Sequence, residues 1–232
     1  MTVRPLGYSA DEHLQDVSFT MTRCNEDPQA VALVPELQPV YEALKDRIEK
    51  WSAKYKALDA AQAGLEIADE AVDETARNFH GVLLTELHHH RHEPKYLTYL
   101  PRGLNGVIKA AYGEEAVLVK SLAERCAADP SPRLHEQAAL LGAAADQMSV
   151  ALQRRSADSA EETTAYGELQ IAKLGAIDAL RRISGRLTDN YPHDRERVRS
   201  FFRVVRKPRP PKETQPVPVG APVANGTLTP AA

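Results

Sequence analysis

The chain has 232 residues, of which 43% are hydrophobic, only 6% aromatic and 26% charged, with a formal net charge of −3. Its mean hydropathy is −0.42. These values exclude a bundle of membrane-spanning helices and a wholly disordered chain, and they require a core made mostly of Ala, Leu, Val and Ile.

Residues 1–34 show no clear period. Val17, Phe19 and Met21 alternate as in a strand, but no second strand is available to pair with it, so irregular chain is expected there. No charged stretch leads into an apolar run and a small-residue cleavage site, so no secretory signal is read. No window approaches the roughly 18 apolar residues of a spanning helix. Cys24 and Cys126 stand far apart without metal-finger spacing, which suits two reduced thiols in a cytoplasmic protein.

A helical domain is expected over 35–206. Leu37, Leu44, Trp51, Leu58, Leu65, Val72 and Phe79 recur every seven residues. Tyr41, Ile48, Tyr55, Gln62, Asp69, Ala76 and Leu83 form a second row between them. Steps of four and three put both rows on one helical face and favour a left-handed seam. A helix from Glu36 to His90 would reach about 80 Å, too long for a rounded globule. A connector over 93–103 and a shorter helix over 104–128 follow, stopped by Asp129-Pro130-Ser131-Pro132. The segment 133–187 repeats the spacing, through Leu134, Leu141, Met148, Leu169, Leu180 and Leu187. Its polar stretch 156–164 would lie beside Gln62 and Asp69 in an antiparallel hairpin, which argues for one continuous helix. A short basic helix is expected over 193–206, and a Pro-rich disordered tail over 207–232. The fold class is therefore all-α: an elongated antiparallel bundle or coiled coil, with two long helices and two shorter ones. Long, shorter, long, shorter also hints at a duplicated unit, 36–128 and 133–206, without repeated residues.

Two constellations are chemically suggestive. His88 and His92, four apart on an extended helix, would share a face as metal ligands, with His89 beside them. The competing reading is that imidazoles gather where a helix ends, in the negative end of its dipole. Residues 181–232 hold eleven Lys or Arg against four acids, whereas 1–180 hold eighteen against twenty-eight. Arg195, Arg197, Arg199, Arg203, Arg206 and Lys207, with Phe201 and Phe202 interleaved, form a candidate surface for nucleic acid or anionic lipid. The alternative is that the Phe residues pack on the bundle and the Arg residues pair with its carboxylates. There is no Gly-rich phosphate loop, no Gly-x-Ser-x-Gly and no His-Glu-x-x-His, so no catalytic residue and no cofactor is assigned. The expected function is a non-enzymatic helical scaffold or interaction module with a protein partner, and seam length suggests a homo-dimer. Binding of an anionic polymer or surface and metal binding are the alternatives.

Overall fold

The computed structural model describes residues 3–204, and every regular element among them is helical. In chain order these are α1 (Ala10–Asn25), a single 3-10 turn (Val31–Leu33), α2 (Val34–Glu86), α3 (Pro94–Tyr99), α4 (Asn105–Ile108), α5 (Tyr112–Ala127), α6 (Pro132–Asn190) and α7 (Arg195–Ser200). The expected tail 207–232 lies outside the described residues. No helix among the described residues is long and apolar enough to cross a membrane.

Helices α2 and α6, of 53 and 59 residues, form the rod that the sevenfold recurrence implies. At about 1.5 Å per residue they span roughly 80 and 90 Å. They run antiparallel, as four cross-helix pairs along the hairpin record: Glu36 with Arg186, Arg47 with Glu168, Trp51 with Glu162, and Gln62 with Arg155. The stretch 156–164 does not interrupt α6.

Burial is concentrated at the two ends. At one end Leu65, Val72, Ala76, Phe79 and Leu83 of α2 pack with Leu134, Leu141, Ala145 and Met148 of α6 and with α3 and α5. At the other, Leu37 and Leu44 meet Leu169, Leu180, Ile183 and Leu187, covered by α1 and by Val198, Phe201 and Phe202. Between them no side chain of 53–60 or of 153–164 is buried. Seam positions Trp51 and Leu58 are only half-buried, and Tyr55 is 55% exposed. A fully buried Leu contributes about 2 kcal/mol, whereas an exposed ion pair contributes about 0.5. The hairpin is thus held at its ends and merely tethered in the middle.

Several local expectations give way. Residues 10–25 are helix rather than irregular chain, because Ser9 and Glu12 close a reciprocal capping box and the buried stripe runs through His13, Asp16, Val17, Thr20 and Cys24. Polar residues occupy three of those five positions, which hides the period. The helix expected over 104–128 breaks between α4 and α5, and α7 is shorter than 193–206. Helix α2 stops at Glu86, since His88 and His89 take positive φ of 47° and 67°.

Residues do repeat, contrary to expectation, and in a different phase from 36–128 and 133–206. Helices α1 and α5 are both 16 residues long, begin 102 positions apart and end in the same motif, Arg23-Cys24-x-x-Asp27-Pro28 and Arg125-Cys126-x-x-Asp129-Pro130. Each is followed by a long helix and then a six-residue one. Leu37 and Leu44 of α2 correspond to Leu134 and Leu141 of α6 at an offset of 97. With α2 and α6 antiparallel, that offset implies a local two-fold relation centred near Asp59 and Ser156, in the unburied middle.

Candidate functional site

The motif shared by α1 and α5 builds a latch at each end of the rod. Asp27 accepts from Tyr191 Oη (2.6 Å), Arg197 Nη2 (2.5 Å) and the Gln29 amide (2.9 Å). Asp129 accepts from Tyr99 Oη (2.8 Å), Lys95 Nζ and the Ser131 amide (2.8 Å). In each case one half's aspartate is gripped by a tyrosine and a cation from the other half. The arginine of the motif caps a neighbouring carbonyl: Arg23 reaches Ser200 O and Arg125 reaches Thr98 O. The Tyr191 hydroxyl, with Arg197 and the Gln29 amide, holds the Asp27 carboxyl down to about 2. Burial pushes both Cys24 and Cys126 thiols up to about 11, so both are inert as nucleophiles.

The latches account for much of the basic segment. Phe201 and Phe202 are core residues, 2% and 9% exposed, not a contact surface. Arg197 is committed to Asp27 and lies 5.9 Å over both the Tyr191 and Phe201 rings. Arg203 Nη1 donates to Gln15 Oε1 at 2.5 Å. Arg206 and Lys207 fall outside the described residues. Arg195 and Arg199 remain: the side chain of neither has a hydrogen bond or ion pair among the described residues. Together with Ser184, Thr188, Tyr191 and Val198 they line a hollow of about 280 Å3.

The histidine constellation loses its geometric premise. His88 and His89 sit past the end of α2 in left-handed conformation, so His88 and His92 do not share a helical face. No group of three or more His, Cys, Asp or Glu among the described residues has the geometry to hold a metal ion.

Each end also buries a titratable group at the same position of its short helix. His13 on α1 is fully buried, and neither ring nitrogen has a hydrogen-bond partner. Burial, then the Lys173 charge, lowers its pKa against the opposing pull of Asp16. Nearby, Arg4 Nε donates to Asp16 at 2.7 Å. On α5 the equivalent residue is Glu115, 1% exposed. Burial, then hydrogen bonding and charge at Asp69, with Asp73 adding to both, pushes it up to about 8. Glu115 therefore holds its proton more readily than an exposed glutamate, because burial and the neighbouring Asp69 and Asp73 carboxylates disfavour its charged form.

A further feature lies on the outer side of the core at the α5 end. Ala60, Ala61, Gly64, Ile67, Ala68 and Ala71 of α2 and Asp146, Gln147, Val150, Ala151 and Arg154 of α6 line a groove of about 540 Å3. Its floor is made of small residues, and its rims carry Ile67 and Val150, 68% and 64% exposed. Asp69 and Asp73 turn toward α5. Ile67 and Ala71, each two residues from Asp69 and so about 200° round the helix, open on the opposite flank. The same offset of 97 carries this strip onto Glu49, Lys50, Ala53, Lys54 and Ala57 of α2 and Ala157, Asp158, Glu161, Thr164, Ala165 and Glu168 of α6. There Lys54 pairs with Glu161 at 2.5 Å, Lys50 with Asp46 at 2.8 Å, and Glu168 with Arg47. The counterpart flank carries six charged residues against the groove's Asp146 and Arg154, and has Thr164 and Ala53 where the groove exposes Ile67 and Val150.

The sequence reading missed this groove because Ala60, Gly64 and Ala71 occupy outward positions that read as tolerant surface. The heptad pattern carries no trace of the latches; their signal in the sequence is the repeated Arg-Cys-x-x-Asp-Pro. A comparison with known proteins returns no matching family model, no matching curated protein and no matching solved structure.

Proposed function

We propose that this protein is a non-enzymatic helical interaction module whose working surface is the groove between α2 and α6. The observation that carries this reading is the divergence between the groove and its counterpart across the local two-fold. The flanks occupy equivalent places on one rod and both carry ion pairs, yet only the groove exposes Ile67 and Val150, where its counterpart has Thr164 and Ala53. Exposed apolar side chains around a concave strip are the composition of a contact surface rather than of a solvated helix face. A benzophenone side chain at Val150 tests it: irradiation in native extract is expected to give a discrete covalent adduct, while the same probe at Ala53, its counterpart, gives none. Equal labelling at both positions, or none at either, overturns the reading.

A second reading has one specific observation in its favour. Arg195 and Arg199, whose side chains have no partner among the described residues, and the net positive charge of 181–232 support contact with a phosphate-bearing polymer or surface. Retention on DNA or on acidic vesicles that falls steeply with salt, and is lost in Arg195→Glu/Arg199→Glu, would support it. Retention indifferent to that substitution removes it.

A further inference from the structure

We infer that the groove partner is a second copy of this chain, the two rods crossing on the flank opposite α5 about a two-fold axis at the level of Leu65 and Val150. This identifies the partner of the interaction surface proposed above and rests on that reading. Three features make the surface complementary to itself. Each copy presents both projections, Ile67 and Val150, and the small-residue floor of Ala60, Gly64 and Ala68 that accepts them. A surface that pairs isologously needs both on one patch. The charges on α6 follow the same symmetry: Asp146 and Arg154 lie four residues either side of Val150, both on the groove lining. An antiparallel crossing at Val150 sets the Asp146 of each copy against the Arg154 of the other, twice per dimer. Their present partners are weak competitors: Lys120 holds Asp146 at 2.7 Å with both side chains more than half exposed, and Arg154 reaches Asp158 only at 3.8 Å. Finally, the absence of a side chain at Gly64, whose Cβ position is open, lets a second helix approach closely.

The test uses the full chain in light scattering and sedimentation over about 1–100 µM, a range set by ordinary homodimer affinities. The expected mass is twice 25.5 kDa. Ile67→Lys with Val150→Lys is expected to weaken pairing at least about 100-fold, since it sets charge into the desolvated centre. Asp146→Arg alone and Arg154→Asp alone are each expected to weaken it about 10-fold, and the two combined to restore it. All four positions are solvent-facing, and helical content by circular dichroism checks that each variant folds. As a second measurement, Val150→Cys, close to the axis, is expected to cross-link to its own copy under mild oxidation, with Cys24 and Cys126 buried out of reach. A wild-type monomer at 100 µM, a dimer indifferent to the Lys substitutions, or charge swaps whose losses add rather than cancel overturns the inference. A monomer whose Val150 probe still captures a different protein overturns self-pairing alone; a monomer that captures nothing removes the interaction module as well.

Discussion

The two ends of the rod share a plan and differ in the charge they bury. Both have a 16-residue helix finishing in Arg-Cys-x-x-Asp-Pro, an aspartate gripped by a tyrosine and a cation from the other half, and a shielded thiol. At the fourth residue of that helix one end places His13 and the other Glu115. What is kept is the device that ties each half to the other. What has diverged is the group whose proton the fold controls, and this gives the two ends opposite responses to pH. Because His13 is depressed, the unfolded chain binds its proton more readily. The α1 end therefore gains stability as pH rises through the folded value toward 6.5, and loses it as pH falls. Because Glu115 is raised, the folded chain is the one that holds the proton. The α5 end is strongest below about 4.5 and weakens as pH rises toward 8.

The shared plan is tested most severely at the aspartates. Asp27→Ala and Asp129→Ala each remove an acceptor of three hydrogen bonds, two of them from tyrosine and a cation, and should each cost about 3 kcal/mol in urea unfolding. The two losses should agree within about 1 kcal/mol; a silent Asp129→Ala would end the equivalence of the ends. The divergence is tested next. Glu115→Gln keeps the shape and supplies amide protons to Asp69 and Asp73, so it should raise the melting temperature at pH 8.5 by about 4–8 °C, on the order of 2 kcal/mol, and leave it unchanged at pH 4. His13→Leu should abolish the acid weakening of α1, read as amide exchange of residues 13–24 that no longer quickens at pH 5.5 relative to pH 7.5. Exchange that is slowest in both end helices at one common pH would show that the buried groups do not set the difference. The smallest effect belongs to the middle: Lys54→Ala breaks an exposed pair with Glu161 and should leave the urea unfolding midpoint unchanged.

The sequence made the rod legible and left its fittings illegible. Leu37, Leu44, Leu65, Val72 and Phe79 keep a strict period over α2, and Leu134, Leu141 and Met148 renew it in α6, so helix length, direction and the polar midsection could be read directly. Helix α1 could not, because its buried face uses His13, Asp16 and Thr20, which a hydrophobic count scores as surface. The His88–His92 face vanished because the chain turns left-handed one residue after Leu87, a tertiary choice that no local spacing encodes. Of the basic segment, the charge asymmetry was real, but Arg197 and the two Phe residues serve the latch, leaving Arg195 and Arg199 as the part that faces outward. The groove is the hardest case. Alanines and a glycine on an outer flank carry no signal until a related flank elsewhere in the chain supplies a contrast.

The two sequestered thiols give the molecule a pair of local strain gauges. Each sits in the last turn of its short helix, 0% exposed, and ionises only when that turn lifts away. With Cys24 or Cys126 replaced by Ala in turn, the alkylation rate of the remaining one times the breathing of a single tip, so the two tips can be clocked separately in the intact chain.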